Sequence, residues 1–474
     1  MKKFVTTLYL LLGLFTSLLA QTPQSSKPSP ATLYRQCYKF ARNELNVDSA
    51  FYYFKEVFAD TNDINATLKF ILYNSFPETF THPDLDNLKD TTKRNRAIKI
   101  KLLHKELLQK VANEKALQSV EPVQALLLWS KVQDNQEDKT QLKLLTNTLL
   151  TQIKGRKDYN NGHTGRYALM IYHITNKHSD LQTLSKKLFT TIKENLRINQ
   201  VAITANSSSK DLERRACHRY LYAYINYLEA SSTSDLTKKQ ALLKTAFEYS
   251  PDLTDKQYKS GYNEDKKYLE GKENYCQEYL GFLEKTGKDK IEILSILLKA
   301  ALYNPVYKEN VKTFYEKMGL TQKPFNIFWR ESIEKNALFS TDFSLKMLDK
   351  RIFSSKEYTG KWILLDFWTT WCKPCREEHP TLQKFYDTTI LQNKEKVLIL
   401  TIACDGDNDT DEKVMKYMKE KGLSFPVAIA DSKIEKKFAV SAYPTKVLIT
   451  PEGKFLSVPN GIDWITLIKE YAVL

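Results

Sequence analysis

Apolar residues recur at every third or fourth position from about residue 31 to residue 318, which is the spacing of amphipathic helices. In the segment 49–58, for example, Phe51, Phe54 and Phe58 fall on one helical face. Comparable patterns cover 98–111, 122–132, 142–153, 181–196, 211–228, 239–249, 274–283 and 291–303. Breaks are predicted at Gly155, at 160–162, at 206–209 and at Gly287. Residues 31–322 are therefore predicted to form an all-α domain.

Two of these helical segments resemble each other. ALLKTAFEYSP at 241–251 and SILLKAALYNP at 295–305 both end at a proline, with Ala246 and Ala300 five residues before it. This is weakly similar to the second helix of a tetratricopeptide hairpin, but no strict 34-residue period runs through the region. We therefore expect an irregular array of helical hairpins. Such an array either offers a concave surface to another protein or packs only against itself, and both interpretations stay open.

The periodicity changes after Lys323 and Pro324, so 323–336 is interpreted as a linker and 337–474 as a second domain. WILLDF at 362–367 and VLILTIA at 397–403 are almost continuously apolar, which is typical of buried central strands. Further strands are predicted at 425–430, 445–450 and, at the sheet edge, 454–458. Helices are predicted at 374–388, 411–421 and 464–471. The alternation of strands and helices predicts an α/β sheet with helices on both faces. The fold class is thus multidomain, with an N-terminal α-helical array and a C-terminal α/β domain.

The first residues have the pattern of an export signal. Lys2 and Lys3 precede an apolar run that ends at Ala20, so 1–20 is predicted to be a signal peptide. Leu18 departs from the small-residue rule before the cleavage site, which leaves an uncleaved anchor as the alternative. Residues 21–30 form a Pro/Ser-rich tether. Export leads to the periplasm or cell envelope, a compartment where disulfides can form.

The net charge follows from 71 basic and 56 acidic residues, and 71 − 56 gives +15. These charges are scattered along the chain, and no nucleic-acid-binding motif accompanies them. A high isoelectric point by itself concerns solubility and non-specific contact. We therefore expect a solvated basic surface and no nucleic-acid partner.

Two cysteines, Cys372 and Cys375, stand two residues apart where a predicted strand passes into a predicted helix. A helix N-terminus carries partial positive charge and free N–H groups, which favour a thiolate on the first cysteine. Lys373 adds a positive charge beside it, and Pro374 occupies a position where the missing N–H costs nothing. The two-residue spacing lets both sulfurs reach bonding distance. The pattern therefore predicts a redox-active disulfide that Lys373 and Pro374 help to tune.

Other interpretations of the cysteines are less favoured. Zinc needs a second pair of cysteine or histidine ligands, and the remaining cysteines lack that spacing, so no metal is expected. A permanent structural disulfide is disfavoured because bonds in this setting are usually labile. Cys404 is interpreted as a small buried residue, with a third redox role as the alternative. Cys37, Cys217 and Cys276 are expected in helical cores, and any pairing among them stays open.

From about Phe339 to Leu474 the chain resembles the thioredoxin-fold domain of the TlpA/ResA type, the exported thiol–disulfide oxidoreductases of bacteria. The matching motifs are DFSL at 342–345, GKWILLDFWTTWCKPCREEHP at 360–380 and AYPT at 442–445. The resemblance covers just over a quarter of the chain and says nothing about residues 31–320. It implies a thioredoxin fold and protein-disulfide oxidoreductase activity, with the Cys372–Cys375 disulfide and no organic cofactor.

The resemblance also implies roles for individual residues. Asp366 matches the family's buried acid six residues before the first cysteine and is expected to accept a proton. Glu378 matches a glutamate that tunes the thiols, with a solvated helix residue as the alternative. Pro444 matches the cis proline that faces the disulfide. Thr401 stands where thioredoxin itself has a lysine near the acid, so proton handling around Asp366 is expected to differ.

Three aromatic side chains near these motifs are also assigned. Trp371, which directly precedes Cys372, is expected to shield the thiols and offer a contact surface, and Tyr443 and Pro444 are expected to bind the substrate with it. His379 is interpreted as a surface or packing residue with no chemical role.

The expected function is dithiol–disulfide exchange with envelope proteins that carry disulfides, in the reducing direction. A continuous reducing role requires an electron donor, and the family usually finds it in the membrane. One alternative keeps the fold and makes the chain a thiol oxidase or a disulfide isomerase. The other makes it a binding or scaffold protein whose helical domain captures a partner. A peroxidase is disfavoured because the sequence around the cysteine pair is not of the peroxiredoxin kind.

Overall fold

The computed structural model describes most of the chain in separate ranges. They are 29–61, 76–81, 89–118, 123–154, 164–202, 207–252, 255, 258, 261–287, 290–303, 307–320, 323–336, 338–339, 342–404, 410–431, 433–438, 440, 442–458 and 463–472. The predicted signal peptide, nearly all of the predicted tether and the predicted breaks at Gly155 and 160–162 lie outside the described residues. No helix within these ranges has both the length and the apolar character needed to cross a bilayer.

The chain divides into two compact units, residues 1–152 with 170–186, and residues 153–169 with 187–474. The N-terminal region is helical, as predicted. Its helices are α1 (Pro30–Tyr38), α2 (Val47–Thr61), α3 (Phe76–Thr81), α4 (Thr91–Asn113), α5 (Val123–Asp134), α6 (Lys139–Ile153), α7 (Thr164–Asn176) and α8 (Gln182–Ile198). Helix α4 begins where the side chain of Asp90 accepts hydrogen bonds from the backbone N–H groups of Thr92 and Lys93. Such an N-cap satisfies donors that have no partner within the helix.

Seven further helices precede β1 (Leu338–Phe339) in the residues that the structure describes. They are α9 (Ser209–Ser232), α10 (Leu236–Tyr249), α11 (Asn263–Leu269), α12 (Cys276–Thr286), α13 (Lys290–Tyr303), α14 (Lys308–Lys317) and α15 (Phe325–Asn336). The break predicted at 206–209 contains the start of α9, where Ser208 and Asp211 form a capping box. The break predicted at Gly287 ends α12, and its φ of 66° explains why glycine stands there.

The two segments that resemble each other lie in α10 and α13. Ala246 and Ala300 are both buried at the predicted helical positions. Helix α10 packs against α9 and α12, and α13 packs against α12 and α14. Small side chains allow neighbouring helices to approach closely, which accounts for alanine at both positions.

The C-terminal region contains eight strands and four helices in the described ranges. The strands are β1 (Leu338–Phe339), β2 (Ser344–Lys346), β3 (Ile352–Ser354), β4 (Trp362–Trp368), β5 (Val397–Ala403), β6 (Val427–Ile429), β7 (Thr445–Ile449) and β8 (Lys454–Val458). The helices are α16 (Lys373–Phe385), α17 (Asp411–Lys421), α18 (Ile434–Lys437) and α19 (Trp464–Ala472). Strands β4, β5 and β6 are parallel, β7 runs antiparallel to β4, and β8 runs antiparallel to β7. This is the predicted α/β thioredoxin fold.

The six-stranded sheet has the order β1-β8-β7-β4-β5-β6, so β4 and β5 lie inside it. Every residue of β4 is buried, which explains the continuous apolar pattern. Strand β8, predicted as an edge strand, has the two-residue β1 as a partner on its outer side. The prediction missed this pairing because two residues are too few to show an alternating pattern.

The segment predicted as a linker is instead largely the helix α15. The oxygen of Pro324 accepts the first helical hydrogen bonds, and Phe325, Phe328 and Trp329 follow at helical spacing. These side chains join a hydrophobic cluster that extends from Ala230 to Ala472 and contains residues on both sides of the predicted boundary. The break in hydrophobic period therefore marks a change of secondary structure, while the core continues across it.

Candidate active site

The disulfide lies where β4 gives way to α16. Cys372 and Cys375 are bonded, with an S–S distance of 2.04 Å, and are 4% and 1% exposed. Cys372 is the N-cap residue of α16, and its Sγ accepts a hydrogen bond from the backbone N–H of Cys375 at 3.2 Å. A helix N-terminus stabilises negative charge, so this position favours the thiolate of Cys372 when the disulfide is reduced.

The two residues between the cysteines differ in their surroundings. Pro374 lies in the first turn of α16, where the absent N–H leaves no helical hydrogen bond unmade. Lys373 is exposed, and its ammonium lies 3.7 Å from the carboxylate of Glu377. An exposed pair of this kind contributes little, and it offsets part of the charge that Lys373 brings near Cys372.

A loop before β7 lies next to the disulfide turn through an aromatic contact. The rings of Trp371 and Tyr443 meet edge to face with centroids 6.1 Å apart. The Tyr443–Pro444 peptide bond is cis, as predicted. Trp371 is 55% exposed, which leaves most of its indole ring open to solvent beside the thiols. The structure thus brings the predicted substrate contacts together with the predicted cis proline.

The two predicted acidic residues are joined by a lysine that the sequence interpretation did not include. Lys446 on β7 lies directly opposite Asp366 on β4 in the antiparallel register. Its Nζ is 3.0 Å from Oδ1 of Asp366 and donates a hydrogen bond to Oε2 of Glu378 at 2.6 Å. Asp366 is buried, and the side chain of Lys446 is 6% exposed. Asp366, Lys446 and the half-buried Glu378 therefore form one charged cluster that reaches the disulfide helix.

Burial has opposite effects on the two groups inside this cluster. It raises the pKa of Asp366 above its usual value, an effect that Lys446 opposes and Glu378 reinforces. Burial also penalises the charge of Lys446, but Asp366 and Glu378 outweigh that penalty and raise the pKa of the lysine. Lys446 therefore stays cationic, while Asp366 binds a proton more readily than an exposed aspartate.

The expectation that proton handling differs around Asp366 rested on Thr401. In the sheet, Thr401 is the partner of Asp366 on β5, and its hydroxyl donates to the backbone oxygen of Pro426. The cation reaches Asp366 from β7, the strand on the opposite side of β4. The available signal was a lysine directly before the apolar run VLI of the strand TKVLI, because a charge in a buried strand needs a partner.

His379 is a packing residue, which is one of the two predicted alternatives. It is buried, its ring meets Trp368 edge to face at 4.6 Å, and its Nδ1 lies 2.9 Å from the hydroxyl of Tyr417. Burial lowers the pKa of His379 to about 4, and the charge of Lys446 acts in the same direction. The imidazole is therefore neutral at physiological pH.

The four cysteines outside the disulfide are all buried. Burial raises the pKa of Cys37 and of Cys276 to about 12 and raises that of Cys404 further. The thiol of Cys217 donates to Oδ2 of Asp265 at 3.0 Å. Thiols in such surroundings are poor nucleophiles. In the part of the chain that the structure describes, no cluster of three or more His, Cys, Asp or Glu side chains is arranged to bind a metal ion.

Comparison with known proteins assigns the same region. The AhpC/TSA family model matches residues 339–457. Thiol-disulfide oxidoreductase ResA of Bacillus thuringiensis subsp. konkukian (strain 97-27) is 35% identical over 131 residues, which are 27% of this chain and 72% of that protein. ResA of Bacillus subtilis (strain 168) is 30% identical over 143 residues, 30% of this chain and 76% of that protein.

A solved structure, the thiol:disulfide interchange protein of Chlorobium tepidum TLS, is 26% identical and matches 29% of this chain and 97% of its own, with a TM-score of 0.26. The ResA matches extend over more than two thirds of each relative, and the paired cysteines of this chain begin a helix after a buried strand. The chain therefore belongs to the ResA family of thiol-disulfide oxidoreductases.

Proposed function

We propose that this chain is an exported reductase of protein disulfides in the cell envelope, with Cys372 as the nucleophile and Cys375 as the resolving thiol. The observation that carries the proposal is the place of Cys372 as the N-cap of α16, with its sulfur accepting the N–H of Cys375. The developing thiolate thus receives a hydrogen bond and the positive end of the helix before any substrate arrives.

The reaction exchanges two electrons between the cysteine pair and a substrate disulfide. The thiolate of Cys372 attacks one substrate sulfur, forms a mixed disulfide and releases the other substrate sulfur as a thiolate, which takes up a proton. Cys375 loses its proton and attacks Cys372, which closes the Cys372–Cys375 bond and releases the second substrate thiolate. The substrate has then been reduced, and the enzyme has been oxidised by the same two electrons.

Asp366 is the proposed acceptor for the proton of Cys375. It lies on the face of β4 that carries Leu364 and Trp368, and these two side chains belong to the same hydrophobic cluster as Cys375. Its raised pKa brings the carboxyl nearer to the pH at which a thiol gives up its proton. Glu378 follows Cys375 by three residues, so both side chains project from one face of α16.

Substrate is proposed to bind over the disulfide as an extended segment. Its backbone pairs with the loop that precedes Pro444, because free backbone groups at a strand end can pair with another chain. Trp371 and Tyr443 flank the site and contact the substrate side chains. The aromatic pair supplies apolar area with little conformational freedom to lose.

The location and the partners of the enzyme are also part of the proposal. The N-terminal pattern of Lys2, Lys3 and the apolar run supports export to the periplasm or cell envelope. Each turnover oxidises the Cys372–Cys375 dithiol to the disulfide. A membrane protein that carries a dithiol is therefore proposed to reduce this disulfide again. The helical region is proposed to hold another protein near the site, and no organic cofactor takes part.

Two measurements on the full chain test the function. The reduction potential is expected near that of reducing thioredoxins, about −270 mV, and a value near −120 mV would indicate an oxidase instead. The reduced chain is expected to cleave insulin disulfides. The Cys375→Ala variant is expected to trap substrates from envelope extracts as mixed disulfides, because the resolving thiol is absent.

A matched variant distinguishes chemistry from binding. Cys372→Ala should abolish both insulin reduction and trapping, since it removes the attacking sulfur and leaves Cys375 in place. If a Cys372→Ser, Cys375→Ser double variant kept full biological function, the reductase proposal would fail and the scaffold alternative would replace it.

A further inference from the structure

Lys446 is the buried cation of the site, and it contacts two carboxyl groups from different elements. Its Nζ lies 3.0 Å from Oδ1 of Asp366 on β4 and 2.6 Å from Oε2 of Glu378 on α16. The ring of Trp464 on α19 lies on another side, with its centroid 5.2 Å from Nζ. Three elements of the fold thus surround this one ammonium group. A surface lysine would be free to leave such a cluster, whereas this buried one is held in it.

The charges of the cluster leave room for one additional proton. With both carboxyls ionised, the two negative charges and the one positive charge sum to −1 inside a largely buried site. Binding of one proton makes the cluster neutral, and a neutral cluster is favoured where water is excluded. Asp366 is the more deeply buried of the two carboxyls, so the additional proton is placed on Asp366 while Glu378 remains the second partner of the ammonium.

The cluster also connects β4 and α16, the two elements on either side of the disulfide turn. Glu378 lies one helical turn after Cys375 on α16. Asp366 lies six residues before Cys372 on β4, the strand that leads into the disulfide turn. Lys446 joins the two carboxyls, since it contacts both.

We propose that Lys446 is a positioning residue that holds Asp366 as the proton acceptor for Cys375 and connects it to Glu378 on the helix of the reacting sulfurs. This proposal rests on the reductase function and deepens it. When Cys375 attacks the mixed disulfide, its S–H bond breaks and the new Cys372–Cys375 bond forms. The proton passes to Asp366, and the substrate leaves as a thiolate with the electron pair of the broken disulfide. A later exchange with solvent returns Asp366 to its ionised state.

Removal of the cation should change the pH at which Asp366 can accept a proton. In Lys446→Met, Asp366 loses its positive partner, so it holds a proton up to higher pH. The resolution step needs ionised Asp366, so its rate should rise with pH through a midpoint shifted upward. In Glu378→Gln the repulsion from the second carboxylate is gone while Lys446 still faces Asp366, so the midpoint should shift downward.

The experiment follows the resolution step in the full chain by stopped flow. The reduced enzyme is mixed with a chromogenic aryl disulfide, and release of the second aryl thiolate is recorded across the pH range. At pH 7, we expect the rate of the resolution step to be about ten- to a hundredfold lower in Lys446→Met, because less of the general base is ionised. Lys446→Arg keeps the charge and should restore much of the rate. Lys361→Met is the matched control, because it removes a lysine that pairs with Glu395 outside the site.

The outcomes separate this proposal from the reductase function. If the wild-type chain releases no aryl thiolate, the function itself fails. If it does, and Lys446→Met keeps the wild-type midpoint, the lysine proposal is overturned while the function stands. A merely structural role would lower the amplitude in every variant without moving the midpoint. Should Lys446→Met fail to fold, the downward shift in Glu378→Gln still decides, since an unchanged or raised midpoint there contradicts the joint action of Lys446 and Glu378 on Asp366.

Discussion

The indole ring of Trp329 on α15 stacks on the phenol ring of Tyr471 on α19, with centroids 5.8 Å apart and ring planes within 6°. Tyr471 also stacks with Trp362, the first residue of β4, and the centroids of these two rings are 6.2 Å apart. Three aromatic rings therefore connect the helix before the sheet, the first residue of the central strand and the last helix. Helix α15 is in this way part of the thioredoxin domain's core, although it precedes all of the strands β1 to β8 in the sequence.

Removal of the Trp329 ring is expected to destabilise the C-terminal region strongly. The side chain is buried, so Trp329→Ala deletes a large apolar group and leaves a cavity, which typically costs about 3–5 kcal/mol. Denaturant unfolding of the full chain, followed by the fluorescence of the remaining tryptophans, measures the loss. Ile327→Ala on the same helix is the control, because Ile327 is exposed and should change stability little. Equal effects of the two substitutions would show that α15 does not carry this core.

The elements of the fold were predictable where the pattern was long and strong. Strands β4 and β5 were evident from continuous apolar runs, and α17 was evident from its charged amphipathic pattern within the predicted bounds 411–421. Helix α15 was missed because a proline beside a change of period was interpreted as a linker. The sequence pattern shows where one type of element stops. It does not show whether the side chains on both sides share a core, which depends on long-range packing.

The site was predictable where motifs place residues close together in sequence. Cys372, Cys375 and Glu378 lie within one short stretch, and the helix start explains their chemistry from spacing alone. Lys446 was not found, because its contact with Asp366 follows from the pairing of two strands separated by 80 positions of sequence. Antiparallel register decides which residues face each other, and a single sequence leaves that register open.

A second carboxyl pair makes the contact between α15 and the sheet sensitive to pH. Burial raises the pKa of Glu334 to about 7, and the carboxyl of Glu452 reinforces the shift. Glu334 also faces Thr450 and Lys454, since its Oε2 lies 3.2 Å from the threonine hydroxyl and its backbone oxygen accepts from the lysine. Because its pKa is raised by folding, the native state binds more protons than the unfolded state between about pH 4.5 and 7.

The stability from this contact should therefore be present at mildly acid pH and be lost as the pH rises toward 7 and above. In Glu334→Gln this loss of stability should disappear. Above pH 7 the free energy of unfolding of the variant should therefore exceed that of the wild type by about 1 kcal/mol, a value reduced for solvent screening. Thermal unfolding from pH 5 to 8 measures it. Glu331→Gln, an exposed neighbour on the same helix, should keep the wild-type slope. If the stability of Glu334→Gln fell with pH as steeply as that of the wild type, Glu334 would not be the source of the pH dependence.

Cys404 is expected to have no redox role. Its thiol is buried, and burial together with nearby Glu435 raises its pKa, so it carries almost no thiolate at neutral pH. We expect Cys404→Ala to reduce insulin at the wild-type rate, with Cys276→Ala as a control of equal volume change elsewhere. Mass spectrometry after brief iodoacetamide treatment should find label on Cys372 alone in the reduced chain. Fast labelling of Cys404, or lost activity in a folded Cys404→Ala variant, would establish the third redox role.

The final prediction concerns Glu435, which holds a proposed substrate contact in place. The hydroxyl of Tyr443 donates a hydrogen bond to Oε1 of Glu435, and the tyrosine ring in turn meets Trp371. Burial and this carboxylate both raise the pKa of Tyr443, so the hydroxyl stays protonated and remains a donor. Glu435→Leu removes the carboxylate that accepts this hydrogen bond from the half-buried hydroxyl of Tyr443. Loss of such a hydrogen bond costs about 1 kcal/mol, which corresponds to roughly a fivefold lower affinity for an extended substrate.

We therefore expect Glu435→Leu to raise KM for a disulfide-bonded peptide about fivefold with little change in kcat, since the sulfur chemistry is untouched. Glu435→Gln keeps an oxygen acceptor and should stay close to the wild type. The same variants should reduce a small aryl disulfide at unchanged rates, because that substrate is too short to reach Tyr443. If Glu435→Leu slows both substrates equally, or shifts the reduction potential, then Glu435 acts on the thiols and the Tyr443 contact does not select the substrate.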